Sequence, residues 1–240
     1  MNGKFAIFVI VALLFIGTAV SVIGAEYAVY YASTDSQDTA LVIMNSGGKE
    51  TYYTLKVYDA YGTLIDAVSG DLDGFESDYQ VLSDIVGQEK TNWGLALIET
   101  PGILTFGIET FVNDGWQASE NVTDPVTGGN GANYYWYGLN YANTSDQTTG
   151  IAVVNPHNSP VAGTIFVYDS AGNKVYSTDI LLDPHESEYY LLKDLVSEKD
   201  SMWGAVDIKM TAPIVVAGEY FSSDGTLLNV DEITRFYYSE

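Results

Sequence analysis

The chain has 240 residues, with 32 acidic against 9 basic side chains and a formal net charge of -23, a balance that repels phosphate backbones and anionic lipid headgroups and so argues against both as partners. Cysteine is absent and the only histidines are His157 and His185, which removes disulfides, thiolate chemistry, Cys-based metal sites and most catalytic constellations. With 47% hydrophobic residues, 19 Tyr and 9 Phe, the composition is that of a folded, sheet-forming chain long enough for two domains of roughly 100 residues.

The N-terminus reads as an export signal. Lys4 precedes the apolar run from Phe5 to Ile16, followed by the small residues Gly17, Thr18, Ala19, Ser21, Gly24 and Ala25. Cleavage after Ser21, Gly24 or Ala25 fits this order. The alternative is an uncleaved anchor, because Phe5 to Ile23 approaches the roughly 20 apolar residues that span a bilayer. Either reading predicts an extracellular or cell-surface protein, touching the membrane only through residues 5–23 if they are retained.

Beyond Glu26 the chain repeats itself. Residues 31–98 align without a gap on 141–208 at an offset of 110, with roughly a third of the positions identical. Thr54-Leu55-Lys56-Val57-Tyr58-Asp59 matches Thr164-Ile165-Phe166-Val167-Tyr168-Asp169, and Trp93-Gly94 matches Trp203-Gly204. Each copy is a series of short alternating or apolar runs between turn residues, the pattern of an antiparallel β-sandwich. The expected fold class is therefore all-β, two tandem immunoglobulin-like sandwiches behind a signal or anchor helix.

Within each copy, Asp59-Ala60-Tyr61-Gly62 and Asp169-Ser170-Ala171-Gly172 read as hairpin turns, Asp starting the turn and Gly taking its left-handed position. Short helical turns are expected at Leu82 to Val86 and Leu192 to Val196. Past Ile98 and Ile208 the alignment suggests one extra residue in the second copy, setting Ile103–Gly107 against Ile214–Gly218. Residues 114–133, rich in glycine, read as a linker between a first sandwich over 26–113 and a second over 134–240.

The Tyr-rich start, Ile151-Ala152-Val153-Val154-Asn155, Val167-Tyr168-Asp169-Ser170-Ala171-Gly172, the run from Leu182 to Leu195, and Trp203-Gly204 resemble a module that recurs in secreted bacterial and archaeal proteins. The family, of uncharacterised function, consists of tandem immunoglobulin-like sandwich repeats. The resemblance implies fold and export rather than an activity, and carries over no functional residue.

Candidate sites are few. In Tyr134-Tyr135-Trp136-Tyr137, alternation puts Tyr134 and Trp136 on one face of a strand and Tyr135 and Tyr137 on the other. One pair belongs in a core, while the other makes a flat platform for a sugar ring or a protein surface, unless both are buried. Asp71, Asp73 and Glu76 cluster around Gly74 like a weak calcium loop, yet the second copy keeps only Asp183 and Glu186, which favours a solvated turn. No other cofactor is implied.

The retained pairs Glu76-Ser77 and Glu186-Ser187 have no base or oxyanion donors beside them, so hydrogen bonding at a strand edge is their expected role. His157 and His185 read as exposed loop residues. Asn121-Val122-Thr123 and Asn143-Thr144-Ser145 match the N-glycosylation triplet.

The sequence therefore reads as a non-enzymatic structural or adhesive protein, its partners a copy of itself, another surface protein or a glycan, and nucleic acid excluded. Self-assembly would proceed by strand exchange through Glu26–Ala32 or Ile233–Tyr238. The alternative is a carbohydrate-binding module built on the aromatic run.

Overall fold

The computed structural model describes residues 25–87, 92–112, 115–122, 134–196, 202–232 and 235–237. The export segment before residue 25 and the Gly-rich residues 123–133 lie outside them. The first module comprises β1 (Ala25–Ser33), β2 (Gln37–Asn45), β3 (Thr51–Asp59), β4 (Leu64–Leu72), β5 (Ser77–Val81), α1 (Leu82–Val86), β6 (Asn92–Thr100), β7 (Leu104–Val112) and β8 (Gly115–Val122). The second comprises β9 (Tyr135–Asn143), β10 (Gln147–Val154), β11 (Val161–Asp169), β12 (Lys174–Leu182), β13 (Ser187–Leu191), α2 (Leu192–Leu195), β14 (Met202–Met210), β15 (Val215–Ser222), β16 (Leu227–Glu232) and β17 (Arg235–Tyr237).

Four antiparallel sheets result. Sheet A has the order β5-β2-β7-β8, sheet B β1-β6-β3-β4, sheet C β13-β10-β15-β16 and sheet D β12-β11-β14-β9-β17. Sheets A and B enclose one core, containing Tyr31, Leu41, Ile43, Tyr53, Leu55, Ile98 and Phe106. Sheets C and D enclose the other, containing Tyr137, Ile151, Val153, Ile165, Val206 and Ile208. The chain is thus two tandem β-sandwiches, as the alternating runs predict.

Polar residues shared by the two copies serve the backbone. Asp59 Oδ1 accepts the Tyr61 and Thr63 amides at 2.9 Å each, and Gly62 sits at φ 76°, closing the β3–β4 turn. Asp169 and Gly172 repeat the arrangement. Buried Asn45 donates to the carbonyls of Lys49, Leu72 and Asp73 and accepts the Gly47 amide. Asn155 does the same with Ser159, Leu182, Asp183 and the His157 amide. Gly94 and Gly204 recur because a Cβ at either would lie 2.5 or 2.0 Å from the Tyr58 or Tyr168 carbonyl oxygen.

Three expectations are corrected. Gly115–Val122 does not form linker but pairs with β7 as β8, because the chain closes a further hairpin before leaving the first module. The extra residue assigned to the second copy disappears: β2–β7 pairs Ile43 with Phe106, and β10–β15 pairs Val153 with Val216, so the offset of 110 runs through β15. Hydrogen-bond register decides this where side-chain similarity misled, and it makes Glu109 the counterpart of Glu219. Finally, neither strand proposed for exchange is spare. Ala25–Ser33 is bonded along its length to β6 and Arg235–Tyr237 to β9, each completing the chain's own sheet.

Two substitutions test these backbone roles. Gly204→Ala should destabilise the fold by about 1–3 kcal/mol through overpacking against a carbonyl. Asn155→Ala should cost at least about 2 kcal/mol by leaving buried carbonyls unpaired. Chemical denaturation monitored by tryptophan fluorescence measures both, and an exposed control such as Ser145→Ala should stay near zero.

Candidate functional site

A third apolar cluster joins the modules. Ala28, Tyr30, Ala32, Tyr58, Leu95 and Leu97 on the outer face of sheet B meet Ala152, Val154, Val215 and Ala217 on the outer face of sheet C. The molecule is therefore a stack of four sheets, A on B on C on D, with three apolar interfaces. Full burial of each larger side chain contributes about 1.5–3 kcal/mol.

Inside this contact lies the buried carboxylate of Glu219, 3% exposed. Tyr189 Oη donates to its Oε2 at 2.8 Å, Gln37 Nε2 donates to its Oε1 at 3.3 Å, and the Tyr30 hydroxyl also bonds to it. Burial raises the Glu219 carboxyl above its usual range, and the three donors counter that shift. The same charge and burial push the Tyr30 and Tyr189 hydroxyls upward, so both remain protonated donors.

At the rim, the β3–β4 turn reaches the second module. The Ser187 amide donates to the Ala60 carbonyl at 2.9 Å, Tyr61 bridges Glu186, and a Cβ on Gly62 would sit 2.3 Å from the Pro184 carbonyl. His185, read from sequence as exposed, is buried and stacks on Tyr58 with centroids 4.3 Å apart. Its loop is exposed only until the first module covers it. Its Nε2 lies 2.9 Å from Asn158 Oδ1. His157 is half-buried, with Nε2 2.5 Å from the Pro213 carbonyl. Beside this contact opens a cleft of about 610 Å³ between Asp59–Tyr61, Trp93 and Glu186–Tyr190.

The aromatic run divides by strand alternation. Tyr135 and Tyr137 are 6% and 1% exposed and belong to the core, which removes them from the proposed platform. Tyr137 Oη donates to the Ile214 carbonyl and accepts its amide. Tyr134 and Trp136 are half-buried on the outer side of sheet D. There Trp136 stacks with Phe166, rings 6.3 Å apart and inclined by 21°. Lys209 Nζ lies 3.7 Å above Tyr134 and 5.2 Å above Trp136, and Lys174 Nζ 5.6 Å above Phe166.

The cluster is not a repeat feature. At the places of Phe166 and Lys209 the first module has Lys56 and Glu99, which form a 2.6 Å ion pair.

The remaining candidates stay apart. Glu76 Oε2 accepts the Asp73 amide at 2.7 Å, as Glu186 Oε2 accepts that of Asp183 at 2.6 Å, so both glutamates cap turns. Asp71, on β4, does not join Asp73 and Glu76 in a metal-holding group, and no group of three ligating side chains occurs among the described residues. Asn143 is half-buried at the end of β9, whereas Asn121 lies on β8 with its side chain outside the described residues.

No family model and no curated protein sequence matches this chain. Among solved structures it is similar to the apo lectin of Pleurotus ostreatus, at 11% identity over 92% of this chain and 81% of the lectin, with a TM-score of 0.25. It is also similar to a β-glucuronidase of Bacteroides uniformis (12% identity, 89% of this chain, 26% of the enzyme, TM-score 0.19). A glycosyl hydrolase family 2 member from Bacteroides cellulosilyticus matches at 9% identity, 88% of this chain, 26% of the enzyme and a TM-score of 0.18. The chain thus spans about a quarter of each enzyme. At these scores the likeness carries no functional argument.

The buried histidine is expected to make the joint between the modules sensitive to acid. Burial, then Lys56 and His157, depress its proton affinity below the ordinary pKa of 6.5, with Glu99 opposing. The folded state binds this proton less readily than the unfolded chain, so stability is full above pH 6.5 and falls as pH drops below it. His185→Phe, which installs the residue found at Phe75, should flatten the melting-temperature profile between about pH 7 and 5. An unchanged slope would place the acid sensitivity elsewhere.

Proposed function

We propose that this chain is a non-enzymatic extracellular structural or adhesive protein, a compact double sandwich that presents its outer faces to partners. One observation carries the reading: the retained polar residues of the turns and strand ends are spent on backbone carbonyls and amides. Asn45 and Asn155, Asp59 and Asp169, and Glu76 and Glu186 all act in this way. A further retained polar group, Tyr79 with Glu109 and Tyr189 with Glu219, is a tyrosine–carboxylate pair with no nucleophile or base beside it among the described residues. A duplicated catalytic module would be expected to repeat a convergent set of acid, base and nucleophile instead. Export rests on the charged, apolar and small-residue order of the first 25 residues and on the resemblance to secreted tandem sandwich repeats.

Surface labelling of intact host cells, followed by N-terminal sequencing of the labelled chain, tests location. Labelling with a mature N-terminus near Glu26, or of an uncleaved chain, supports the proposal. A chain labelled only after lysis would overturn it.

A second reading is favoured by the stacked Trp136 and Phe166 rings on the outer side of sheet D. Unlike the retained turn residues, this cluster is not required by the module, because the first copy folds with an ion pair in its place. Half-exposed aromatic faces suit the apolar side of a sugar ring. The reading predicts weak, salt-insensitive glycan binding that Trp136→Ala abolishes while the melting temperature holds, measurable on a glycan array. No glycan bound by the wild-type chain would eliminate it.

A further inference from the structure

We infer that the chain self-associates head to tail, the exposed face of sheet D in one copy packing on the exposed face of sheet A in the next, in the geometry that already joins sheets B and C. This deepens the structural reading above and rests on it.

The argument follows from the repeat. Sheet A is the first-module counterpart of sheet C, and sheet D the second-module counterpart of sheet B. The stack therefore ends in two faces, A and D, whose counterparts C and B are already joined inside the chain.

The residues that make the internal joint recur, exposed, on the ends. Trp93 meets Tyr189 edge-on at 6.1 Å within the chain. Their counterparts Trp203 and Tyr79 are 64% and 47% exposed on sheets D and A. His185 stacks on Tyr58, and the counterpart of His185 is Phe75, 74% exposed and held at φ 65°, as His185 is at 62°. Both occupy the third position of the same turn, closed by the Glu76 amide on the Asp73 carbonyl and the Glu186 amide on the Asp183 carbonyl, so the two rings are presented alike. The partner Phe75 would stack on is Tyr168.

The polar centre recurs too. Glu109 accepts from Tyr79 Oη at 2.9 Å, as Glu219 does from Tyr189. Gln147 stands at the position of Gln37, which supplies the amide donor to Glu219 within the chain. Asn140, exposed, replaces Tyr30 and still offers a donor. At the rim, a Cβ on Gly172 would have nothing within 4 Å, whereas that of its counterpart Gly62 would strike the Pro184 carbonyl.

The two ends are not perfect copies of the joint. Asp207 takes the place of Leu97, Ala205 that of Leu95 and Gly107 that of Ala217. The contact between copies is accordingly weaker than the internal one and reversible. The net charge of -23 also opposes it, so association strengthens as salt shortens the screening length from about 10 Å at 0.1 M to about 3 Å at 1 M. Because the contact joins two different faces, a pair of copies keeps one free face of each kind and growth continues past the dimer.

Sedimentation velocity of the full chain, in mild nonionic detergent to mask the apolar leader and at high salt, gives the test. The wild type should form a concentration-dependent ladder. Trp203→Asp blocks one face and Tyr79→Asp the other, so that the two altered faces also repel each other. Both side chains are exposed, so melting temperatures should be unchanged while each variant alone loses association by at least about tenfold. Mixed one to one, the two variants should recover a dimer and nothing larger, since one good face of each kind remains.

A wild type that stays monomeric overturns the inference, as does a variant that still dimerises alone or a mixture that does not recover. A monomeric chain labelled on intact cells leaves the structural reading standing without this contact. A ladder from a chain found only inside cells does the reverse.

Discussion

The joint between sheets B and C makes one body of two sandwiches. Each sandwich closes its own core, yet Tyr30, Leu95 and Leu97 on one module and Val154 and Val215 on the other would face water if the modules separated. Burying them places a carboxyl group, Glu219, in an apolar contact, where it is tolerated because three donors converge on it. An apolar joint with one hydrogen-bonded carboxyl group at its centre has a single register, since sliding would strand that group. This constraint sets which faces the molecule offers outward.

Polar residues then fall into two groups. Most of those that recur at an offset of 110, such as Asn45 with Asn155 and Glu76 with Glu186, serve the backbone of the sandwich, while Tyr79–Glu109 and Tyr189–Glu219 recur on the sheet faces. Those that differ between copies report what each module does beyond folding. The Trp136–Phe166 stack and its lysines belong to the second module alone, while the first spends the same positions on an ion pair beside the joint. Duplication thus separates structural requirement from surface use.

Much of this was legible from residues in order. Alternation gave the strands, Asp and Gly at fixed spacing gave the hairpins, and the repeat gave the two modules. The late strands were misaligned by one residue because apolar residues of similar size satisfy either register, and only the pairing of Phe106 with Ile43 and of Val216 with Val153 distinguishes them. Gly115–Val122 looked like linker because an edge strand needs little apolar alternation when a neighbour supplies its hydrogen bonds. His185 looked exposed because its cover, Tyr58, lies 127 positions earlier in the chain.

By itself, the sequence determined the all-β class, the duplication, the turn chemistry and the acidic, cysteine-free surface. All of these depend on local spacing or on composition. Only the tertiary structure decided that the modules share an apolar joint, that Glu219 and His185 are buried in it, and that Tyr135 and Tyr137 are core while Trp136 faces outward. Those outcomes depend on which faces meet, and a strand's two-residue period names its faces without saying what covers them.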